Sequence, residues 1–456
     1  MQTPFSDTIA ALSTPQGQGA IGIIRMSGPK AREILEAVFV QKNKKPLRPG
    51  CLVRGHIQDG LEILDDVLVA WMPQKKSYTG EELIEIQGHG SSFLLSEILN
   101  LVVRKGACLA KPGEFTFRAF MNGRLDLAQA EAVADLIEAK SRKALQVCHQ
   151  HLEGRFSKEI LDIREGLLEL LVHIEASLDF STEDLDVFSE QVMLEKLKPI
   201  QEKIKALLKT YDQGRFHLEG VRVAIVGRPN VGKSSLLNAI LQYERAIVTE
   251  EAGTTRDTLE ESMTYQGLEF RMIDTAGIRQ ARNAIEKIGI EHALKKIREA
   301  DIVCAVLDMS QESHAEDFEI LDLIGQKKKI LVFNKIDLEA KMGATAILEK
   351  FLAPHVFISA LRRQGIEELL EVLYQEVILS DLNSEAILLT KLKHKESLRL
   401  ALDFIQQAEE GLIQKKSLEF LAVDLRSSIE ELEMTIGKIS LEDVYDRIFS
   451  SFCIGK

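Results

Sequence analysis

V-R-V-A-I-V-G-R-P-N-V-G-K-S-S-L-L-N-A-I, residues Val221 to Ile240, is the stretch that decides the fold. A short β-branched run leads into Gly227-x-x-x-x-Gly232-Lys233-Ser234 and then into apolar residues at helical spacing. That order of strand, loop and helix is what a phosphate-binding loop requires. Backbone N–H groups of Asn230, Val231, Gly232, Lys233 and Ser234 can wrap a β-phosphate, with Ser235 in the same first helical turn. Lys233 can reach the β and γ oxygens as the catalytic cation, and the Ser234 hydroxyl can bind Mg²⁺.

Four further elements follow in order. Gly253, Thr254 and Thr255 open G-T-T-R-D, where a threonine can complete the Mg²⁺ shell and sense a γ-phosphate. F-R-M-I (Phe270 to Ile273) reads as a strand feeding Asp274, Thr275, Ala276 and Gly277, a carboxylate followed by a glycine N–H that can meet the γ-phosphate. After the buried run Asp301 to Asp308, I-L-V-F-N-K-I-D sets Asn334, Lys335 and Asp337 at a strand end. Asp337 can accept two N–H bonds from a guanine edge, which adenine cannot supply, so the nucleotide is read as GTP. Ser359 and Ala360, in H-V-F-I-S-A-L, can offer backbone to the guanine O6. Residues 217–379 thus resemble the small GTPase domain of the translation-factor-related class, an α/β P-loop (Ras-like) fold with nucleotide at the carboxyl ends of its strands.

Hydrolysis needs a device other than the usual glutamine. Ile278 occupies the position directly after D-T-A-G, and Gln280 lies two residues on. Asn230 offers a hard amide oxygen beside the phosphates, suited to a monovalent cation; on residue type alone it equally serves to shape the loop. Glu286, in a polar stretch with Arg279 and Arg282, reads on residue type as a solvated helix residue.

Length and composition set outer bounds. The chain has 456 residues, 45% hydrophobic and 28% charged, enough for about three domains of ordinary globular type. No apolar run long enough for a membrane span occurs, and the start lacks the pattern of a leader, so the expectation is cytoplasmic, with no membrane. Cys51, Cys108, Cys148, Cys304 and Cys453 have neither disulfide-framework nor metal-ligand spacing. A net charge of −13 argues against a broad nonspecific nucleic-acid surface, so any RNA contact is expected to be local or delegated.

Helical periodicity dominates both flanks of the GTPase unit. A long Ala-rich helix is expected from about Leu125, then helices near Phe156–Leu178 and Ser189–Tyr211, and two more after Val377. The economical architecture is one all-α domain in two pieces, 121–216 and 380–456, interrupted by the GTPase. Six carboxylates without a cation between Glu175 and Glu190 read as a solvated loop, as do the basic clusters Lys42–Arg48 and Lys391–Arg399.

Residues 1–120 differ in kind: short β-rich pieces separated by Gly and Pro, with a helix near Ser91–Lys105, make an α+β domain. In S-Y-T-G-E-E-L-I-E-I-Q-G-H-G, Glu85 and Gln87 share one strand face, where a carboxylate can accept paired N–H bonds from a heterocycle such as a pterin. A carboxylate there needs a ligand or an arginine, for which Arg25 and Arg124 are candidates. His89, between glycines, reads as a turn histidine. At the other end of the chain, F-S-S-F-C-I-G-K carries apolar anchors Phe449 and Phe452, the thiol of Cys453 and the terminal Lys456.

T-G-E-E-L-I-E-I-Q-G-H-G, K-P-G-E-F-T-F-R-A-F, G-R-P-N-V-G-K-S-S, A-G-T-T-R-D, D-T-A-G-I-R and the terminal F-C-I-G-K together resemble the MnmE (TrmE) family of tRNA-modification GTPases along the whole chain. The resemblance implies a multidomain protein: an N-terminal tetrahydrofolate-binding and dimerisation domain, a discontinuous helical domain and an inserted GTPase. It implies a homodimer that joins the FAD-dependent MnmG protein in a heterotetramer or larger complex. Together they would install aminomethyl-type or carboxymethylaminomethyl groups on C5 of the wobble uridine, position 34, of certain tRNAs. The one-carbon unit would come from a tetrahydrofolate derivative (5-formyl or 5,10-methylene), and the nitrogen from glycine or ammonium.

By motif match, Asn230, Thr249, the Glu251 carbonyl and Thr254 correspond to K⁺ ligands, and Ser234 and Thr255 to Mg²⁺ ligands. Glu286 corresponds to the acid that orients the attacking water. Arg25, Glu85, Arg124 and Lys456 match folate contacts, and Cys453 either acts as a nucleophile in the C5 chemistry or has a positional role. Two rivals share parts of this pattern. A ribosome-assembly GTPase would carry an RNA-binding module after the GTPase, and a folate-dependent enzyme with regulatory GTP would need no flavin partner.

Overall fold

The computed structural model describes residues 5–42, 47–179, 189–247, 261–273, 297–342, 344–378, 386–437, 452 and 455. The chain forms two compact units, one of residues 1–137, 148–204 and 397–456, the other of 138–147 and 205–396.

Alternating apolar residues build the sheet of the first unit. Its strands are β1 (Ile9–Leu12), β2 (Gly19–Ser27), β3 (Phe39–Gln41), β4 (Leu52–Asp59), β5 (Glu62–Met72), β6 (Leu83–Gly90) and β7 (Cys108–Leu109). They lie in the order β3-β4-β5-β6-β2-β1-β7, antiparallel except for the β1–β7 pair. Ile24, Met26, Val67, Val69, Ile84 and Ile86 point to one face and pack with Ile34 and Leu35 of helix α1 (Ala31–Val38) and Ile98 and Val102 of α2 (Ser92–Arg104). Because side chains alternate along a strand, Arg25 and Glu85 are left on the opposite face.

His89 corrects an expectation. It is a residue of β6 rather than of a turn, and its backbone N–H donates to Asp65 Oδ2 at 2.8 Å while Nδ1 lies 2.6 Å from Asp65 Oδ1. The buried Asp65 carboxylate needs those donors, which ties the strand end down.

Helix α3 (Glu114–Met121) carries Arg118, wholly buried and bonded to Glu114, Asp7 and Glu81. The long helix expected from Leu125 is instead two, α4 (Leu127–Glu138) and α5 (Arg142–Leu152). Ser141 stops and restarts it: its Oγ accepts the Ala144 N–H at 3.1 Å, an N-cap that satisfies a donor the helix start would orphan. Helices α6 (Arg155–Asp179) and α7 (Glu190–Lys209) lie where the periodicity sets them. Glu175, the first of the acidic run, pairs with Arg426 at 2.6 Å, whereas 180–188 lie outside the described residues.

In the longer segment of the second unit, α8 (Tyr211–Glu219) leads into β8 (Val221–Val226). Helix α9 (Lys233–Ile247), β9 (Glu261–Tyr265), β10 (Leu268–Met272), β11 (Ile302–Asp308), α10 (Ala315–Ile324), β12 (Lys329–Asn334), α11 (Ala344–Lys350), β13 (His355–Ile358) and α12 (Ile366–Val377) follow. Six strands pair in the order β13-β12-β11-β8-β10-β9, parallel except at the β9 edge. The near-continuous apolar runs of β8, β11 and β12 are buried on both faces, as a helix-covered parallel sheet demands. Thr210 Oγ1 accepts the Leu389 N–H at 2.9 Å, joining the segments that enter and leave this unit.

His217 of α8 is half-buried, and its Nδ1 has no hydrogen-bond partner among the described residues. Burial, with the nearby Lys143 ammonium adding to it, pushes its imidazole down from 6.5 to about 4. The folded state therefore prefers the neutral ring. This contribution is complete above pH 6.5 and is lost as pH falls toward 4, with a total of roughly 3 kcal/mol. His217→Gln is expected to flatten the fall of the unfolding midpoint across that window relative to the parent. An equal drop in the denaturant midpoint between pH 7 and pH 4.5 in variant and parent would refute the assignment.

The chain returns to the first unit with α13 (Leu392–Ile413) and α14 (Leu418–Ile436), and α14 packs along α6 with Arg164 bonded to Glu433 at 2.5 Å. Near the chain end, Phe452 is buried against Phe117, Phe120, Leu127 and Ala130. No helix among the described residues is long and apolar enough to cross a membrane.

Candidate functional site: a phosphate loop, a base-side loop and a paired carboxylate

The turn from β8 to α9 has the backbone of a phosphate cradle. A Cβ on Gly227 would lie 2.5 Å from the Val306 carbonyl oxygen, and one on Gly232 would lie 2.3 Å from Asn334 Nδ2. Both positions also have positive φ, so only glycine fits without displacing backbone or a fixed side chain. Asn230 takes the left-handed conformation as well, φ 64°, which asparagine tolerates better than most residues.

Lys233, the first residue of α9, turns its Nζ back over the loop and donates to the carbonyls of Gly227 at 2.8 Å and Arg228 at 2.6 Å. Ser234 and Ser235 sit in the same first helical turn, where unpaired N–H groups and the helix dipole favour an anion. The hydroxyl of Ser234 is a hard oxygen, the donor type that Mg²⁺ takes beside phosphate.

A second loop is tied to the first through Asn334. Its Nδ2 donates to the Val231 carbonyl at 2.8 Å, and its Oδ1 accepts the Ala360 N–H at 3.0 Å. Lys335, also left-handed at φ 68°, bonds Asp308 at 2.6 Å. Burial raises the Asp308 carboxyl, but hydrogen bonds from Lys335 and Ser310 outweigh it and leave it below the usual range. Asp337 Oδ1 accepts the Ser359 hydroxyl at 2.5 Å, and that bond holds Asp337 below the ordinary carboxylate range. The arrangement presents an ionised, fixed carboxylate that can accept paired N–H groups.

The structure thus brings Asn230, Val231, Gly232, Lys233, Ser234 and Ser235 to one loop and helix start. Asn334, Lys335, Asp337, Ser359 and Ala360 form the loop tied to it. Thr249, Glu251, Gly253, Thr254, Thr255, Asp274, Thr275, Ala276, Gly277 and Glu286 lie outside the described residues, as do Cys453 and Lys456.

In the first unit, Arg25 and Glu85 are direct cross-strand partners. Arg25 Nη2 and Nε both donate to Glu85 Oε1, at 2.7 and 3.0 Å, so Oε2 is left for another donor among the described residues. The Gly455 carbonyl accepts from Arg25 Nη1 at 3.3 Å and from Ser13 Oγ at 3.1 Å, which brings the end of the chain onto this pair. Of the two arginines considered for Glu85, Arg25 makes the bond, whereas the Arg124 side chain lies against Gly80, where a built Cβ would be 3.2 Å from it. Sequence reasoning passed over Arg118 and Arg228. The spacing Glu114 to Arg118, one helical turn, was a usable signal for the first.

Strand, phosphate loop, helix and base-side carboxylate define a P-loop GTPase. Residues 8–124 match the family model described as GTP-binding protein TrmE N-terminus, and residues 127–453 match the MnmE helical domain. A tRNA modification GTPase MnmE of Alkaliphilus oremlandii (strain OhILAs) is 42% identical over 99% of this chain and 100% of its own length. Those of Aquifex aeolicus (strain VF5), 42% identical over 99% and 100%, and Cytophaga hutchinsonii, 42% identical over 100% and 99%, are similar along their full lengths too. The chain belongs to the MnmE (TrmE) family of tRNA modification GTPases.

Proposed function

We propose that this chain is a K⁺-activated GTP hydrolase that works as a homodimer in the cytoplasm. With the FAD-dependent MnmG protein it would install aminomethyl or carboxymethylaminomethyl groups on C5 of the tRNA wobble uridine. The observation that carries the reading is the coexistence, in one family-matched chain, of the Asn230 phosphate loop and the Arg25–Glu85 pair with the chain end laid on it.

In the GTPase unit, Lys233 leaves its backbone carbonyls for the phosphates, Asp337 selects guanine, and Asn334 keeps the two loops in register. Asn230 fits a K⁺ ligand because its left-handed backbone is held in the loop and its amide oxygen is a hard donor. With Thr249, the Glu251 carbonyl and Thr254 it would hold the ion. A bound K⁺ supplies positive charge against the charge that builds on the phosphoryl oxygens, in the place of an arginine finger. Ser234 and Thr255 would hold Mg²⁺, and Glu286 would orient the attacking water. Pairing of two GTPase units would exclude solvent from the site.

Arg25, Glu85, Arg124 and Lys456 would bind the tetrahydrofolate derivative. Glu85 fits that task because both bonds from Arg25 fall on one of its oxygens. Cys453, matched through the terminal F-C-I-G-K motif, would act as nucleophile in the C5 chemistry or have a positional role. Similarity along the full length of relatives named tRNA modification GTPase MnmE favours this over the ribosome-assembly reading.

GTP turnover of the purified chain is expected to be roughly ten- to a hundredfold faster in K⁺ than in Na⁺, with the advantage lost in Asn230→Ala. Equal turnover in both cations would overturn the K⁺ mechanism. Unchanged wobble-uridine modification on gene deletion, read by nucleoside mass spectrometry, would overturn the tRNA role.

A further inference from the structure

Arg228 lies in the phosphate loop yet is nearly fully buried, and its Nε donates to Asp317 Oδ1 at 2.7 Å. Asp317 is buried too, in the first turn of α10, where its Oδ2 accepts the His314 N–H at 3.1 Å. The two faces of residue 228 therefore have different partners. Its side chain is bonded to α10, while its carbonyl accepts Lys233 Nζ at 2.6 Å. One residue on, Pro229 restricts its own φ, and Asn230 then enters the left-handed region at φ 64°.

A buried ion pair is a weak source of stability, because desolvation offsets most of the attraction and apolar replacements are often as stable. Arg228 also leaves its Nη2 buried without a partner among the described residues, which makes a purely stabilising role poorer still. What the pair does supply is direction: a planar guanidinium bonded through Nε fixes the orientation of the residue that carries it.

We propose that Arg228, held by Asp317, is a positioning residue for GTP hydrolysis: it sets the peptide at 228 so that Lys233 and Asn230 are presented to the phosphates in the hydrolytic geometry. The proposal rests on the GTPase reading. Arg228 acts through the loop and touches no reacting atom. Guanine recognition by Asp337 belongs to another loop, so base recognition and turnover separate.

The test measures GTP turnover per nucleotide-binding site in the full-length chain, with sites counted by fluorescent GDP titration. Arg228→Ala and Asp317→Asn are each expected to lower kcat at least tenfold while changing KM and GDP affinity less than threefold. The double variant should be no slower than Arg228→Ala, since both remove one interaction. Arg228→Lys, which keeps charge but not the Nε direction, should recover only part of the loss.

A purely structural pair would lower the melting temperature and the number of binding sites but leave kcat per site within twofold. That result in either single variant overturns the proposal. If Arg228→Ala does not fold, Asp317→Asn and Arg228→Lys decide on the same criteria. Absence of turnover in the unmodified chain would instead defeat the GTPase reading itself, a distinct outcome.

Discussion

Replacing Lys233 with alanine is expected to slow GTP hydrolysis by roughly two to three orders of magnitude, the scale for losing one preorganised group aimed at developing charge. Its Nζ lies over the loop on the Gly227 and Arg228 carbonyls, at the start of α9. Phosphate oxygens in that cradle would draw the ammonium off neutral acceptors onto charged ones, a charge-assisted bond about twice as strong. The fold should be unaffected, because the helix start keeps its backbone bond from Leu236 to Gly232 at 2.9 Å. Lys233→Arg should not restore the rate, since a planar fork does not occupy the volume of a compact ammonium. Single-turnover assays with saturating protein read the chemical step directly. A loss below tenfold would mean that the loop binds phosphate without catalysing its transfer.

The second large effect concerns the base. Asp337→Asn is expected to weaken GTP binding by roughly two to three orders of magnitude, because an amide meets a guanine donor with one of its own donors. Xanthosine nucleotides, which carry a carbonyl where guanine carries its exocyclic amine, should bind the variant better than the parent. Ser359 keeps residue 337 in place through its hydroxyl, so the change is chemical rather than conformational. Competition of GDP and xanthosine diphosphate against a fluorescent nucleotide measures both arms. Unchanged GDP affinity in the variant would remove Asp337 from base recognition.

Local readings came through well. The run Val221–Val226, the Gly227–Ser234 spacing and the strand end at Asn334 match β8, the phosphate loop and β12. Each depends on contiguous residues whose backbone requirements, such as glycine where a Cβ would strike Val306 or Asn334, are written side by side. Helix limits near Phe156–Leu178 were legible for the same reason, since a 3.6-residue period is a local property. Periodicity misled from Leu125 onward. An apolar repeat continues through Ser141, but a serine cap at that point supplies a competing way to satisfy the backbone.

Taken alone, the sequence determined the family, the order of the GTPase elements and the presence of a carboxylate on a sheet face near the start of β6. Tertiary structure decided which groups that chemistry meets. Arg25 reaches Glu85 across 60 residues through strand register, and the Gly455 carbonyl reaches Arg25 across 430. Arg118 and Arg228 are buried because three-dimensional packing gives each of them acidic partners, which no spacing along the chain could specify for Arg228 and Asp317, 89 residues apart. The physical reason is common to all of these. Backbone conformation follows mainly from neighbouring residues, whereas the partner of a charged side chain follows from which surfaces the packed core brings within about 3 Å.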